Sequence, residues 1–358
     1  NMPHFNDMVY HSGGVPSGGL LAGGNVFWVD SGASLASDAV TAGKSRDKPF
    51  ATLDYAIGQC TANNGDVIYL CEGHAESVAE AASIVFNVVG VTVIGLGTGS
   101  NRPTFTFATD AGADIDITAA NVTIQNVLFY MNKDGLTNPI HVAAADVSLI
   151  NCEIRDASAS IQANYGIVGT TAADRLTVDG LIYNGFTTGS GTTAGIQLNG
   201  SSDSVIKNSR LYGEFTTAVV EMYSSACSNL TIDNCYFYNE SAALSKNVVD
   251  SATGSTWQVY DLFDGKGGYS LSGGSSAALA ADDVATVSSG VSTNTSFLTV
   301  ASASISGLTS SHVVVSESVS GLTSYAVVES GSLSGLTSSH AVVSESVSGL
   351  TSSHVVVS

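Results

Sequence analysis

Three ionisable residues occupy one position of a repeated nine-residue motif, and their types suit acid–base chemistry. The copies read RLTVDGLIY, DSVIKNSRL and NLTIDNCYF, and the shared position holds Asp179, Lys207 and Asp233. If successive copies are stacked strands, the two carboxylates lie two strand spacings apart, about 9 to 10 Å. Inverting glycosidases separate their carboxyl groups by roughly 6.5 to 9.5 Å. Because Lys207 stands between the carboxylates, we interpret the column as charge pairing between neighbouring strands. Polysaccharide cleavage by Asp179 and Asp233 stays the alternative.

Other candidate residues lie in the N-terminal half. His74 is in the segment EGHAES with Glu72 and Glu76, and we interpret it as a turn histidine that is hydrogen-bonded to the cap of the fold. Asp114 and Asp116, in ADIDIT, point to the same side of a predicted strand, because strand side chains alternate. These two carboxylates predict a solvated face rather than a catalytic pair.

A second set of histidines recurs near the C-terminus, where His312, His340 and His354 share one position of a repeat. On a threefold axis such residues could form rings that bind a metal ion. Duplication of a repeat also duplicates its histidine, and we favour this interpretation. We expect no catalytic residue, no cofactor and no metal site in the chain.

Tyrosines and cysteines are the remaining chemically distinctive residues. Four tyrosines lie on or near the predicted coil surfaces, where they could stack on sugar rings, but most are interpreted as core or rim residues: Tyr183, Tyr212, Tyr236 and Tyr238. No cysteine spacing fits a zinc site. We expect buried free thiols at Cys60, Cys71, Cys152, Cys227 and Cys235.

The repeated motif indicates a solenoid, since its copies recur every 25 to 31 residues. The copies align on one apolar column: Val93, Ile124, Leu149, Val178, Ile206 and Ile232. Apolar and small polar residues alternate around this column, as they do in strands. A bend follows at Asn126, Asn151, Gly180, Asn208 and Asn234. Asn and Gly tolerate a left-handed backbone, and stacked asparagines can bond along the axis.

After the bend, a second alternating strand keeps large residues in phase: Phe129, Ile154, Tyr183, Leu211 and Phe237. The pattern predicts an all-β fold, a parallel β-helix of about six coils. Residues 47–58, DKPFATLDYAIG, predict a helix that caps it, with Pro49 in the first turn and Phe50, Leu53 and Ile57 on one face. A cap is needed because the end of a solenoid is otherwise open.

The C-terminal part repeats every 14 residues, with glycines at 307, 321, 335 and 349. Each unit contains a Gly-Leu-Thr-Ser turn and a short Val-rich strand, which cannot bury its apolar residues alone. We favour an intertwined homotrimeric β-stalk, because exposed Val-rich strand edges need to be covered. A thin stack within one chain and a disordered Ser-rich linker are the alternatives.

Two resemblances extend this interpretation. The stretch VFWVDSG…SRDKPFATLDYAIGQC…NNGDVIYLCEGHAES resembles the opening of pectate-lyase-like right-handed β-helix proteins, which implies a right-handed parallel β-helix. The wording GDVIYLCEGHAES and the leader MPHFNDMVYHSGGVPSGG resemble β-helix structural proteins of tailed bacteriophages. That resemblance implies a virion component such as a head fibre, decoration protein or tailspike.

Composition excludes several classes of protein. The formal net charge of −20 repels phosphate backbones, so nucleic-acid binding is not expected. No apolar run reaches the roughly 20 residues of a membrane span. The N-terminus has neither the basic nor the apolar region of a secretory signal, which counts against a secreted bacterial adhesin.

We predict four regions: an extended anchoring arm (1–25), a capped right-handed parallel β-helix (26–265), a linker with a degenerate repeat (266–303) and a stalk (304–358). The predicted protein is a structural component of a bacteriophage virion, a projecting fibre or capsid decoration at the virion surface that can bind host-surface glycans. Its predicted partners are two further copies of itself and, through the arm, other virion proteins. A tailspike-type polysaccharide depolymerase, hydrolase or lyase, and a bacterial β-solenoid adhesin are the alternatives.

Overall fold

The computed structural model describes residues 24–188, 191–240, 247–252, 254–266 and 277–279, two dipeptides near the N-terminus and six strands among the C-terminal repeats. Side chains are described between residues 24 and 260 of these ranges. The chain divides into two compact units, residues 1–280 and 281–358. The four predicted regions stay a prediction.

The first unit is a parallel β-solenoid in which each coil contributes strands to three sheets, named A, B and C in chain order. Sheet A contains Val26–Val29, Val67–Leu70, Thr92–Gly95, Thr123–Gln125, Ser148–Ile150, Thr177–Asp179, Val205–Lys207, Leu230–Asn239, Trp257–Lys266 and Ala277–Leu279. Sheet B contains Ala75–Val78, Thr104–Phe107, Leu128–Met131, Glu153–Asp156, Ile182–Asn184 and Arg210–Gly213, and continues through the second halves of Leu230–Asn239 and Trp257–Lys266. Sheet C contains Ile84–Phe86, Ile115–Ile117, Ile140–Val142, Tyr165–Gly169, Thr192–Leu198, Phe215–Met222 and Val248–Asp250.

The predicted all-β fold is confirmed as a parallel β-solenoid of about seven turns. The two predicted inward files are part of its core, and inward residues of sheet C such as Ile115 and Ile140 complete it. Sheet A stacks Val93, Ile124, Leu149, Val178, Ile206 and Ile232 in register, each at most 2% exposed. Sheet B stacks Phe105, Phe129, Ile154, Tyr183, Leu211 and Phe237, each at most 1% exposed. The coils therefore share one continuous apolar interior.

The bend between sheets A and B has a left-handed backbone in every predicted copy. The φ angles are 57° at Asn126, 51° at Asn151, 71° at Gly180, 51° at Asn208 and 47° at Asn234. Asn234 Nδ2 donates to Asn208 Oδ1 at 2.8 Å, as expected for stacked asparagines. Elsewhere the amides bond differently, since Asn126 donates to the carbonyls of Gly95 and Gly97.

A second left-handed column, at the corner that leads from sheet C into sheet A, was not predicted. Its φ angles lie between 55° and 59°, and its members are Asn121, Asp146, Arg175, Asp203 and Asn229. These residues hold neighbouring coils together, because Arg175 Nε and Nη2 donate to both carboxylate oxygens of Asp146, at 2.6 and 2.8 Å. The mixed residue types hid this column from the sequence pattern.

The capping helix is shorter than predicted. It spans Leu53–Gly58 and begins after Thr52, whose Oγ1 accepts the Tyr55 N–H. The prediction that Pro49 lies in its first turn is wrong. Phe50 instead bonds to the first strand of sheet A, donating its N–H to the Trp28 carbonyl at 2.8 Å. Phe50, Leu53 and Ile57 are nevertheless all buried in the core, as expected.

The second unit contains the strands Phe297–Ser306, Ser311–Ser320, Tyr325–Ser334, Ser339–Ser344, Val347–Ser348 and Val356–Val357. They pair in parallel with a register shift of 14 residues, as in Ser311 with Tyr325 and Tyr325 with Ser339. Pairing within one chain matches the thin-stack alternative, and the homotrimer stays a prediction. His312 and His340 lie in two of these strands, but their side chains and His354 fall outside the described part.

The N-terminal strand pair and the cysteines also belong to the first unit. Near the N-terminus, Tyr10–His11 pairs antiparallel with Val15–Pro16, and the rest of the predicted arm up to residue 23 lies outside the described residues.

All five cysteines are free, and all but the half-buried Cys60 are buried. Burial raises the pKa of the Cys60 thiol to about 12 and that of Cys152 to about 11. Within the described ranges no helix has the length and apolarity of a membrane span.

Candidate functional site

The predicted charge column lies on the outer face of sheet A. Asp179, Lys207 and Asp233 are opposite one another on successive strands. Lys207 Nζ is 3.4 Å from Asp179 Oδ2, and the two side chains are 39% and 29% exposed. Asn208 Nδ2 also donates to Asp179 Oδ1 at 2.8 Å. Charge pairing is therefore confirmed for Asp179 and Lys207, and catalysis by Asp179 and Asp233 stays an untested alternative.

His74 is a fully buried part of the cap region. Its Nδ1 accepts the Ser31 N–H at 3.0 Å, and its Nε2 is 3.2 Å from Glu76 Oε2. The same Glu76 oxygen accepts the Leu53 N–H at the start of the capping helix, at 2.9 Å. Because Nδ1 accepts a backbone N–H, the ring proton is on Nε2 and faces Glu76. The prediction of a hydrogen-bonded turn histidine beside the cap is confirmed.

Asp114 and Asp116 lie on one outward face, as predicted, but each is half-buried and hydrogen-bonded to a neighbour, so this face is only partly solvated. Asp116 Oδ1 is 2.8 Å from Nδ1 of His141, which lies opposite it on the next strand of sheet C. Asp114 Oδ1 accepts the Ala82 N–H at 2.5 Å, and burial raises the pKa of the Asp114 carboxyl. No group of three His, Cys, Asp or Glu in the described part of the chain could hold a metal ion.

The four predicted tyrosines divide into two groups. Tyr183 is fully buried in the inward file of sheet B and cannot reach a ligand on the surface. Tyr212 and Tyr238 lie opposite each other on the outer face, with ring centroids 4.9 Å apart. Beside them the Arg210 guanidinium lies 5.5 Å from the centre of the Tyr236 ring. Three of the four thus form an aromatic surface at one end of sheet B.

A cleft of about 470 Å³ opens on the same outer face, towards the N-terminal coils. Four successive strands of sheet B and the residues that follow them line it: Thr104, Leu128, Tyr130, Arg155, Asp156, Ala157, Asn184, Gly185 and Phe186. Tyr130, Arg155 and Asn184 are in register on neighbouring strands, about 4.8 Å apart. The cleft therefore presents an aromatic ring, a guanidinium and an amide side by side.

Glu153 fixes the polar wall of this cleft. Its Oε1 accepts hydrogen bonds from Arg155 Nε and Nη2, at 2.9 and 2.5 Å, and from Asn184 Nδ2 at 2.8 Å. Its Oε2 accepts one from Arg102 Nη1 at 3.0 Å. Glu153 is 8% exposed, so these bonds form away from bulk water and are strong. Because four donors share the carboxylate, Arg155 and Asn184 are held in fixed positions.

Asp156 is an acidic residue at an inward, apolar position. It is in register with the buried Met131 and is 3% exposed, yet it lines the cleft. Oδ1 accepts the Ala163 N–H at 3.2 Å, and Oδ2 accepts the Tyr183 hydroxyl at 3.3 Å. Burial raises the pKa of Asp156 to about 7, outweighing these two hydrogen bonds, which lower it. This carboxyl group consequently changes charge near neutral pH.

Sequence reasoning missed Arg102, Glu153, Arg155, Asp156 and Asn184. One signal was present, in the segment EIRD at 153–156, where Ile154 is an inward residue. Strand alternation puts Glu153 and Arg155 outside and Asp156 inside, and an inward Asp is unusual unless paired. Arg102 gives no such signal, because it lies before a strand and reaches Glu153 across 51 residues of sequence.

No family model and no curated protein matches this chain. Three solved structures resemble its fold. A rhamnogalacturonan lyase matches with a TM-score of 0.42 and 11% identity over 89% of this chain and 74% of the lyase. The catalytic domain of a GH87 alpha-1,3-glucanase matches with a TM-score of 0.43 and 11% identity, over 85% of this chain and 64% of that one.

The third similar structure is a GH136 lacto-N-biosidase from Eubacterium ramulus, with a TM-score of 0.38 and 10% identity over 93% of this chain and 68% of that one. At these identities and TM-scores, the activities of the three proteins do not transfer to this chain. The case for function therefore depends on the residues of the cleft.

Proposed function

We propose that this chain is a structural protein that binds glycans on the outer face of sheet B. The cleft carries this proposal, because it combines aromatic side chains with fixed polar groups on a rigid coil. Tyr130 and Phe186 offer apolar surface, and Arg155, Asn184 and Thr104 offer hydrogen bonds. Its volume of about 470 Å³ is within the range of small-ligand sites.

Binding is favoured over cleavage by the state of the carboxylates. Glycoside hydrolysis uses two carboxyl groups, one as acid and one as base or nucleophile. Asp156 lines the cleft, but Glu153 already accepts four hydrogen bonds from Arg102, Arg155 and Asn184. A carboxylate bound in this way is a poor base. The arrangement suits recognition of a ligand better than attack on it.

The proposed location is the surface of a tailed-phage virion, where the protein would form a fibre or decoration and attach to host glycans. The leader and the segment GDVIYLCEGHAES support this location through their resemblance to phage structural proteins. A long stack of coils also suits a projecting part, since each coil extends the rod by about 4.8 Å. Immunogold labelling of purified particles tests it, and unlabelled particles would contradict it.

Glycan binding is tested by applying the purified chain and its Tyr130→Ala and Phe186→Ala variants to an array of bacterial surface glycans. We expect each variant to lose about fivefold or more in affinity for the glycans that the parent binds, because stacking contributes about 1 kcal/mol or more per ring. Tyr223→Ala is the matched control, since Tyr223 is 49% exposed and does not line the cleft. Equal binding by all four proteins would exclude the cleft as the site.

Depolymerisation of a polysaccharide is the second candidate function, and the raised pKa of Asp156, about 7, is the observation that favours it. A carboxyl group that is protonated at neutral pH is suited to act as a general acid. Release of reducing ends from a glycan identified on the array, abolished in Asp156→Asn, would establish this activity. Binding without any release over a long incubation would leave recognition as the function.

A further inference from the structure

We propose that the sheet B cleft contains a proton-gated site for an anionic oxygen group carried by a glycan, with Arg155 and Asn184 as ligands and Asp156 as the gate. The group is a carboxylate, sulfate or phosphate, all of which present the same oxygens to a guanidinium. The inference deepens the proposed function and rests on it, since the same cleft binds the ligand.

Arg155 has the donors that such a group requires. Glu153 occupies its Nε and Nη2, while Nη1 makes no hydrogen bond to the described residues. The side chain is 48% exposed and lines the cleft. Guanidinium groups match the oxygen spacing of carboxylate, sulfate and phosphate groups, and a guanidinium already held in place loses little freedom on binding. Asn184 lies opposite Arg155 on the next strand and adds an amide group to the same wall.

The charges of the cleft wall leave a positive excess when Asp156 is neutral. Arg155 is the basic residue that lines the cleft, and behind it Glu153 bridges Arg155 and Arg102, so these three side chains carry a net charge of +1. This excess is local, because the whole chain carries a formal charge of −20. A polyanion is therefore repelled by most of the protein and attracted at this wall, which favours a specific contact over general adhesion.

Asp156 follows Arg155 on the same strand, and its carboxyl group points inward to the Tyr183 hydroxyl and the Ala163 N–H, where burial raises its pKa to about 7. The ionisable group in contact with it is Tyr183, whose hydroxyl stays protonated because burial raises its pKa well above the usual value. Arg155 and Glu153 are on the same strand, Tyr130 is on the preceding strand, and Arg102 reaches the wall through Glu153. Ionisation of Asp156 places a negative charge on the inner side of the strand that carries Arg155. This charge opposes the binding of an anion on the outer side, because the intervening protein screens charges weakly.

Sulfate is a suitable probe, because its charge does not change between pH 5.5 and 8.5. Binding is measured by calorimetric titration at constant ionic strength, with chloride in the reference. We expect sulfate to bind the parent chain about tenfold more tightly at pH 5.5 than at 8.5, the effect of one nearby charge at intermediate dielectric. Asp156→Asn should bind equally at both pH values, and Arg155→Gln should lose binding at both.

Arg175→Gln is the matched control, because Arg175 is also an exposed arginine paired with a carboxylate, but lies outside the cleft. It should bind sulfate like the parent. A pH dependence that persists in Asp156→Asn, or the absence of sulfate binding at pH 5.5, would overturn the inference. If Asp156→Asn fails to fold, the carboxyl carbon of Asp156 is followed by NMR in the parent. Sulfate should then raise its titration midpoint, and an unchanged midpoint would contradict the gate.

The outcome separates this inference from the proposed function. Loss of glycan binding in Tyr130→Ala together with pH-independent sulfate binding would retain a glycan site and exclude the proton gate. Proton-gated sulfate binding without any glycan binding would retain the anion site and exclude a glycan as its carrier.

Discussion

Sheets A and B are built from the same coils, yet their outer faces differ. Sheet A carries short hydroxyl side chains in one column: Thr92, Thr123, Ser148 and Thr177. Sheet B carries longer side chains on its neighbouring strands, such as Tyr130 and Arg155, and encloses a cleft. The comparison shows that the inward files stabilise the fold in both sheets, while the outward positions can hold residues of different size and charge.

Charged residues show the same contrast. On sheet A, Lys207 and Asp179 form a solvated pair, with side chains 39% and 29% exposed. On sheet B, Glu153 is 8% exposed and accepts bonds from two arginines. Solvated pairs contribute little to stability, whereas breaking a buried pair leaves an uncompensated charge. The four predictions below test this contrast, starting with the core that both sheets share.

Truncation of the core should cost a similar amount in either sheet. Leu149→Ala in sheet A and Phe129→Ala in sheet B should each lower the free energy of unfolding by about 3 to 5 kcal/mol, because each leaves a cavity in a buried file. Urea unfolding followed by circular dichroism measures the loss. The outward Thr123→Ala should change it by less than about 0.5 kcal/mol. A cost below about 1 kcal/mol in one sheet alone would disprove a shared core.

Removal of the Glu153 charge should have the next largest effect. Glu153→Gln leaves Arg102 and Arg155 without their carboxylate, and we expect a loss of about 3 kcal/mol in the free energy of unfolding. The cleft should also lose affinity for any ligand, because Arg155 is no longer held. Denaturant titration and sulfate binding measure the two effects. A loss as small as that of an exposed pair would show that this wall is solvated.

The pH dependence of stability should identify Asp156. Its pKa is raised by burial from 3.8 to about 7, so the folded state holds a proton that the unfolded state releases between these values. The contribution of Asp156 to the free energy of unfolding should therefore fall as pH rises from 4 to 7, by roughly 3 kcal/mol. Asp156→Asn should lack this fall, and Asp179→Asn should retain it. Parallel pH profiles for the parent and Asp156→Asn would contradict the assignment.

The smallest effect is expected for the charge column of sheet A. Lys207→Met removes the partner of Asp179 but should change the free energy of unfolding by less than about 1 kcal/mol, because both side chains are solvated. Chemical denaturation at low and high salt measures it, and added salt should abolish the difference. A large loss that salt does not reduce would remove the distinction between the two faces.

Much of the fold was predictable because a solenoid repeats its constraints. The column Ile124, Leu149 and Val178 recurs with strand alternation on each side, and only a stack of coils satisfies it. The corner at Arg175 was not predictable, since Arg rarely adopts a left-handed backbone and only its bonds to Asp146 on the preceding coil account for it there. The capping helix was predicted to be longer than it is, because the pairing of Phe50 with Trp28 joins residues 22 apart in sequence and leaves no local signal.

For sheets A and B, the amino-acid sequence alone determined the coils, their register and which residues face inward, because a periodic motif becomes a stack of strands. The strands of sheet C follow no such motif, and only the structure reveals them. The tertiary structure alone decided where a site lies. Arg102, Glu153 and Asn184 are distant in sequence and meet only when four coils are stacked. Asp156 has an unusual pKa only because the fold buries it beside Met131 and Tyr183. Such a site depends on distances and desolvation between coils, and a repeat pattern contains neither.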